Sequence, residues 1–222
     1  MKSELRLFYT TQDNIVVPTK ELIKEKNTDF RVLLALSTIS NVDDYTLEGD
    51  NSRFLSLNKG DMFMNTLSKN IGITTSQFRK HLNALLKHNS DEFKVVEREY
   101  NGSKVLCYEI NYQAGGFVTI PYEKVEKLIV GLSNNCIKLY INLLWLCQNN
   151  GKFIERNLTQ DYLLELMGLS KSSKRALRIA VEILEENKLI KTRKETVTET
   201  ILIDGEIRSS APKTIIHYSI YE

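Results

Sequence analysis

Two stretches of this chain, 96 positions apart, follow one plan, and that repetition restricts the fold more than any other feature. The clearer copy is MGLSKSSKRALRIAVEILEENKLI, Met167 to Ile190. Gly168 and Leu169 supply a tight turn, Ser170 stands where an N-cap oxygen belongs, and a continuous helical pattern follows. At about 100° per residue, Lys171, Lys174, Arg175 and Arg178 share one narrow face, while Leu177, Ala180, Val181 and Leu184 share another. One face packs and the other is a cationic ridge. Four basic residues on an amphipathic helix commonly do no more than solvate it, so the ridge alone decides nothing.

The other copy is IGITTSQFRKHLNALLKHNSDEFKVV, Ile71 to Val96, with Gly72 set on Gly168. Thr74 and Gln77 form a T-x-x-Q capping box at its helix start. Phe78, Leu82 and Leu85 make the core stripe, and Ser76, Arg79, Lys80, Asn83 and Lys87 lie opposite. Met62, Phe63 and Leu67 mark an earlier helix over Asp61 to Asn70. Further upstream, Val16-Val17-Pro18 precedes the apolar helix FRVLLALSTI, and Thr119-Ile120-Pro121 precedes IKLYINLLWL, 103 positions later. The unequal offsets mean a repeat of architecture with weak identity. Two domains of about 100 residues follow, 1–114 and 115–222, divided near Gln113 to Gly116.

Each basic helix leads into strands. FKVVEREY and SKVLCYEINY flank Asn101-Gly102, a strong hairpin signal. Lys191, Arg193 and Lys194 begin a strand that continues to Ile203, Asp204-Gly205 turns it, and Ile215 to Tyr221 returns. Helix, turn, basic helix and hairpin is the order of a winged helix. The fold class is therefore α+β and helix-rich, with two winged helix-turn-helix domains in tandem. The second wing is the larger. A helix of this diameter fits the DNA major groove, and a wing can touch the backbone or minor groove.

Composition sets limits on the rest. The net charge is only +2, yet Lys171 to Lys194 holds eight basic against three acidic residues, so any phosphate-binding surface is local. A hydrophobic content of 42% and three prolines favour compact cores. Cys107, Cys136 and Cys147 fall outside any C-x-x-C pair and read as buried free thiols of a cytoplasmic protein. Lys138 and Asn142 interrupt the most apolar helix, which excludes a membrane span, and Trp145 on it is expected in the core. Asp43, Asp44, Glu48 and Asp50 fit no EF-hand spacing, and His81, His88 and His217 lack ligand partners nearby in sequence. No nucleophile motif or phosphate loop is present, so no metal, cofactor or reaction is expected.

FVTIPYEKV leading into an apolar helix, followed by LTQDYLLELMGLSKSSKRALRIAVEILEENKLIK, resembles the tandem winged-helix replication initiators of bacterial plasmids and phages. It is also similar to the N-terminal winged-helix module of DnaD-like primosomal proteins. The resemblance implies binding of double-stranded DNA, a first domain that also supports a homodimer, and contact with other replication proteins. Its contact positions fall on Lys171, Ser172, Lys174, Arg175 and Arg178, with Lys191 and Arg193 in the second wing. In the first domain they fall on Ser76, Gln77, Arg79, Lys80 and Asn83, with Arg98 and Lys104 near the hairpin tip. Arg175 and Arg79 coincide when the turn glycines are matched. A winged-helix transcriptional regulator and a protein-binding tandem winged-helix scaffold are the alternatives.

Overall fold

The structure is a computed structural model that describes residues 14–19, 22–25, 29–40, 45, 47, 49–50, 52–88, 90–111, 116–149, 151–198, 200–203, 206–210 and 212–221. It mixes helices and strands, and it divides into two compact units, Met1–Lys138 and Leu139–Glu222. The acids Asp43, Asp44 and Glu48, the expected boundary at 113–115 and the Asp204-Gly205 turn lie outside the described residues.

In the first unit, strand β1 (Asn14–Pro18) is followed by a 3-10 turn at Leu22–Lys24 and helix α1 (Phe30–Ser40). α1 is buried along almost its whole length, with Phe30, Leu33, Leu34 and Ile39 fully enclosed. Its hydroxyls survive burial by bonding back to the helix. Ser37 donates to the Leu33 carbonyl at 2.8 Å and Thr38 to that of Ala35 at 2.6 Å. Strand β2 (Ser52–Ser56) runs straight into helix α2 (Leu57–Asn70), whose N-cap Ser56 accepts from the Lys59 amide at 3.2 Å. That cap starts the helix four residues before the expected Asp61.

Gly72, at φ +70°, makes the turn into helix α3 (Thr75–Lys87). The Thr74/Gln77 capping box is formed, and Phe78, Leu82 and Leu85 are the buried stripe. Strands β3 (Phe93–Tyr100) and β4 (Ser103–Asn111) form the hairpin. Its two-residue turn has Asn101 at φ +51° and Gly102 at φ +74°, the consecutive positive values that match strand twist. β4 is central in an antiparallel sheet of order β2-β4-β3. α2 lies on the sheet face carrying Tyr108: a Cβ on Gly60 would stand 2.9 Å from the Tyr108 ring.

Strand β5 (Phe117–Pro121) and helix α4 (Tyr122–Gly131) complete this unit. β5 pairs antiparallel with β1, setting Val17 opposite Val118 and Ile15 opposite Ile120. The two apolar-Pro segments expected to open separate modules are therefore one ladder. The division consequently falls at Lys138/Leu139, inside helix α5 (Asn134–Cys147), and not near 114/115. Asn134 caps α1 by accepting from the Phe30 amide at 2.7 Å.

Lys138 is 2% exposed and donates to the Glu25 carbonyl. Burial pulls its ammonium down from 10.5 to about 8, although the Glu25 and Asp29 carboxylates oppose the shift. The unfolded chain thus binds more protons than the folded one between about pH 8 and pH 10.5. Lys138 alone should add about 3 kcal/mol to stability across that window, against the buried Cys147 thiol, whose pKa is raised to about 11 and whose contribution falls over the same range. Urea titrations at pH 7.5, 9 and 10.5 check it: the stability of the wild type relative to Lys138→Met should rise with pH.

In the second unit, Tyr140, Ile141, Leu143 and Leu144 of α5 are buried. Trp145 is 43% exposed, contrary to its expected place in the core: Leu144 and Cys147 occupy the inward positions on either side of it. Strands β6 (Gln148–Asn149) and β7 (Lys152–Phe153) pair around Gly151, and strand β8 (Arg156–Asn157) follows. Helix α6 (Gln160–Leu166) is capped by Thr159. Gly168, at φ +68°, turns the chain toward helix α7 (Lys174–Glu186). Lys188, at φ +53°, closes α7, with the Leu189 amide reaching the Leu184 carbonyl at 3.0 Å. Strands β9 (Ile190–Val197), β10 (Thr200–Ile203), β11 (Glu206–Ser209) and β12 (Lys213–Ile220) follow. β12 lies between β8 and β9, and β10 pairs with β11. All three cysteines are buried, and none is in a disulfide. No described helix is long and apolar enough to cross a membrane.

Candidate nucleic-acid interface

α7 separates its charges from its core cleanly. Leu177, Ala180 and Leu184 are buried, whereas Lys174, Arg175 and Arg178 are exposed, as are Lys171 and Ser172 just before it. The helix start differs from expectation. Ser170 caps a three-residue 3-10 turn, Lys171–Ser173, closed by the Ser173 amide on the Ser170 carbonyl at 2.9 Å. α7 proper begins at Lys174 with no side-chain cap. Its leading amides are the kind of donors a phosphate oxygen can accept from. Lys174 pairs with Asp161 at 2.9 Å, which holds that carboxyl below its usual range. Both side chains are nearly half exposed, so water screens the pair and a phosphate can replace it.

The extra turn changes which residues correspond between the units. The turn glycines are 96 positions apart, but the helix starts, Thr75 and Lys174, are 99 apart. Phe78 then matches Leu177 and Leu85 matches Leu184, buried residue on buried residue. Arg79 corresponds to Arg178, and the expected match of Arg79 with Arg175 is corrected. On α3, Ser76, Gln77, Arg79, Lys80 and Asn83 are all exposed. The Gln77 side chain is engaged at the cap, accepting from the Thr74 amide at 2.9 Å, and the Arg79 Nε lies 3.2 Å from the Met64 sulfur. α3 contains no acidic residue, whereas Glu182, Glu185 and Glu186 follow Arg178 on α7.

The strands that follow α3 and α7 sort their cations by alternation. On β9, Thr192 faces α7, because Glu185 accepts from its amide at 2.9 Å and from its hydroxyl at 2.7 Å. Lys194 shares that side and lines a cleft of about 160 Å³ with Arg178, Glu182 and Gln160. Lys191 and Arg193 therefore lie on the opposite face. Lys191 is exposed there, while Arg193 is held by Glu155 at 3.0 Å and Glu195 at 3.2 Å. His217 completes this cluster, with its Nε2 3.0 Å from Glu195. Lys194 is the cation that the sequence-based set omits, and period-two counting from Thr192 would have found it.

The first wing behaves alike. Arg98 lies on the sheet face opposite Phe93 and Tyr108, 3.9 Å over the Phe54 ring and ion-paired with Asp50. It is thus packed into the sheet and not displayed at the hairpin tip. Lys104 is on the Tyr108 side, 72% exposed and 2.7 Å from Glu97. Among the described residues, no group of three His, Cys, Asp or Glu side chains is placed to hold a metal ion.

No protein-family model matches the chain. No curated protein matches it either. Among solved structures it is similar to the Pi initiator protein in a crystal structure with iteron DNA. The identity is 12%, the match covers 96% of this chain and 99% of that one, and the TM-score is 0.47.

Proposed function

We propose that this protein binds double-stranded DNA, with each unit presenting a winged helix-turn-helix whose second helix, α3 or α7, enters a major groove. The observation that carries this reading is the second unit's surface. Arg175 and Arg178 stand exposed on α7, Lys171 is exposed on the turn just before it, and Lys194 of β9 lines the same cleft as Arg178. A cationic helix with a cation of the wing beside it is the layout in which a groove and its flanking phosphates are engaged together. In the first unit, Ser76, Arg79, Lys80 and Asn83 are the exposed side chains that would reach base edges and phosphates. Arg98 and Arg193 act on their own sheets, not on DNA.

The process we propose is initiation or organisation of replication for a plasmid, phage or mobile element, on the sequence resemblance quoted above. The protein acts there by binding and not by catalysis, in a reducing cytoplasm that suits three buried cysteines outside any disulfide. A second copy and replication proteins are the partners that the resemblance implies.

Fluorescence anisotropy against mixed-sequence duplex at about 50 and about 200 mM salt tests the reading. With about five phosphate contacts, affinity should fall between two and three orders of magnitude over that range. Lys194→Ala should lower the log-log slope by about one, whereas Arg193→Ala should leave it unchanged. Binding that is absent, or indifferent to salt, would overturn the proposal.

A further inference from the structure

α7 carries one side chain that neither packing nor phosphate binding explains. Ile179 is 45% exposed, although Leu177, Ala180 and Leu184 already complete the buried stripe. It lies one turn after Arg175 and about 40° around the helix from it, and directly follows Arg178. Its neighbours three and four residues away are the exposed, charged Arg175 and Glu182 on one side and the half-buried Ala176 and Ile183 on the other. A β-branched residue gains nothing in helix propensity at such a position, and its apolar surface is left in water. Isolated exposed apolar residues are ordinary on protein surfaces. This one sits beside Arg175, at the edge of the surface assigned to DNA, where the major groove offers a single apolar group, the C5-methyl of thymine.

We infer that Ile179 is a specificity-determining residue that packs on a thymine C5-methyl in the DNA bound by α7. The inference rests on the DNA-binding proposal and deepens it. α3 has no such contact: the helix register places Lys80 at the corresponding position, so the thymine requirement belongs to the part of the site read by the second unit alone.

The test is selection from random 30-base-pair pools synthesised with thymine or with uracil, which lacks only the methyl group, using the full chain and its Ile179→Ser and Ile179→Val variants. The wild-type protein should enrich a position occupied by thymine, and that preference should disappear in the uracil pool and in Ile179→Ser but persist in Ile179→Val. Placing a single uracil at that position of the enriched duplex should weaken wild-type binding about fourfold, the worth of one buried methyl, and leave Ile179→Ser indifferent. Salt-sensitive binding with a thymine preference that survives in Ile179→Ser, with no thymine preference, or with no loss on uracil substitution overturns the role of Ile179 alone. Failure of every pool to bind overturns the DNA-binding proposal with it. Thermal melts of the variants, expected within about 0.5 kcal/mol of wild type, confirm that each is folded.

Discussion

Replacing Arg175 and Arg178 together with alanine should weaken duplex binding about 30-fold or more and flatten the log-log salt dependence by about two. The affinity follows from about 1 kcal/mol or more per contact, and the slope from about 0.9 per phosphate neutralised. Both side chains are exposed and lie off the stripe of Leu177, Ala180 and Leu184, so the melting temperature should scarcely change. Anisotropy across a salt series, with a thermal melt of the same sample, reads both quantities. A folded double variant with wild-type affinity would place the DNA surface somewhere other than α7.

The largest loss of stability is expected on α3, from a residue buried in its own unit. Phe78 is fully buried on α3, opposite Arg79 and Lys80. Phe78→Ala should cost about 3–5 kcal/mol, the loss of its burial plus the cavity it leaves. That is a large share of what holds a domain together, which is typically about 5–15 kcal/mol. Urea unfolding of the variant should show the first transition shifted to much lower denaturant. A change below 1 kcal/mol would contradict the packing described. Arg79→Ala, one residue along, should leave the transition in place, so the pair separates what α3 does for its unit from what it does outward.

The helices were the legible part of this chain. A 3.6-residue period and a capping box are local signals, and α3 begins where Thr74 and Gln77 place it. The domain division was not legible, because it depends on β1 pairing with β5 across about 100 residues. Both strands carry the same short apolar-Pro signature, which on sequence alone marks a repeated start and in the fold marks two halves of one ladder. Lys138 shows a similar limit: a lysine in an apolar helix reads as an interruption, yet its ammonium finds the Glu25 carbonyl and is buried. The strand pairs after the two helices yielded half their content. Their hairpin turns were visible in Asn101-Gly102, but a strand's sidedness depends on which residue meets the helix, and Glu185 settles that for Thr192 only in three dimensions.

The three-residue turn ahead of α7 separates two properties of that end of the helix, where it points and what charge it carries. Lys171, Ser172 and Ser173 contribute nothing buried, so residues can be added or removed there without opening the core. Each one added shifts what precedes it by about 2 Å and about a third of a turn relative to α7, which Leu177, Ala180 and Leu184 hold in place. Changing the length of this one segment is therefore a cheap way for a lineage, or a designer, to reposition the charge ahead of α7 while α7 and every packed residue stay as they are.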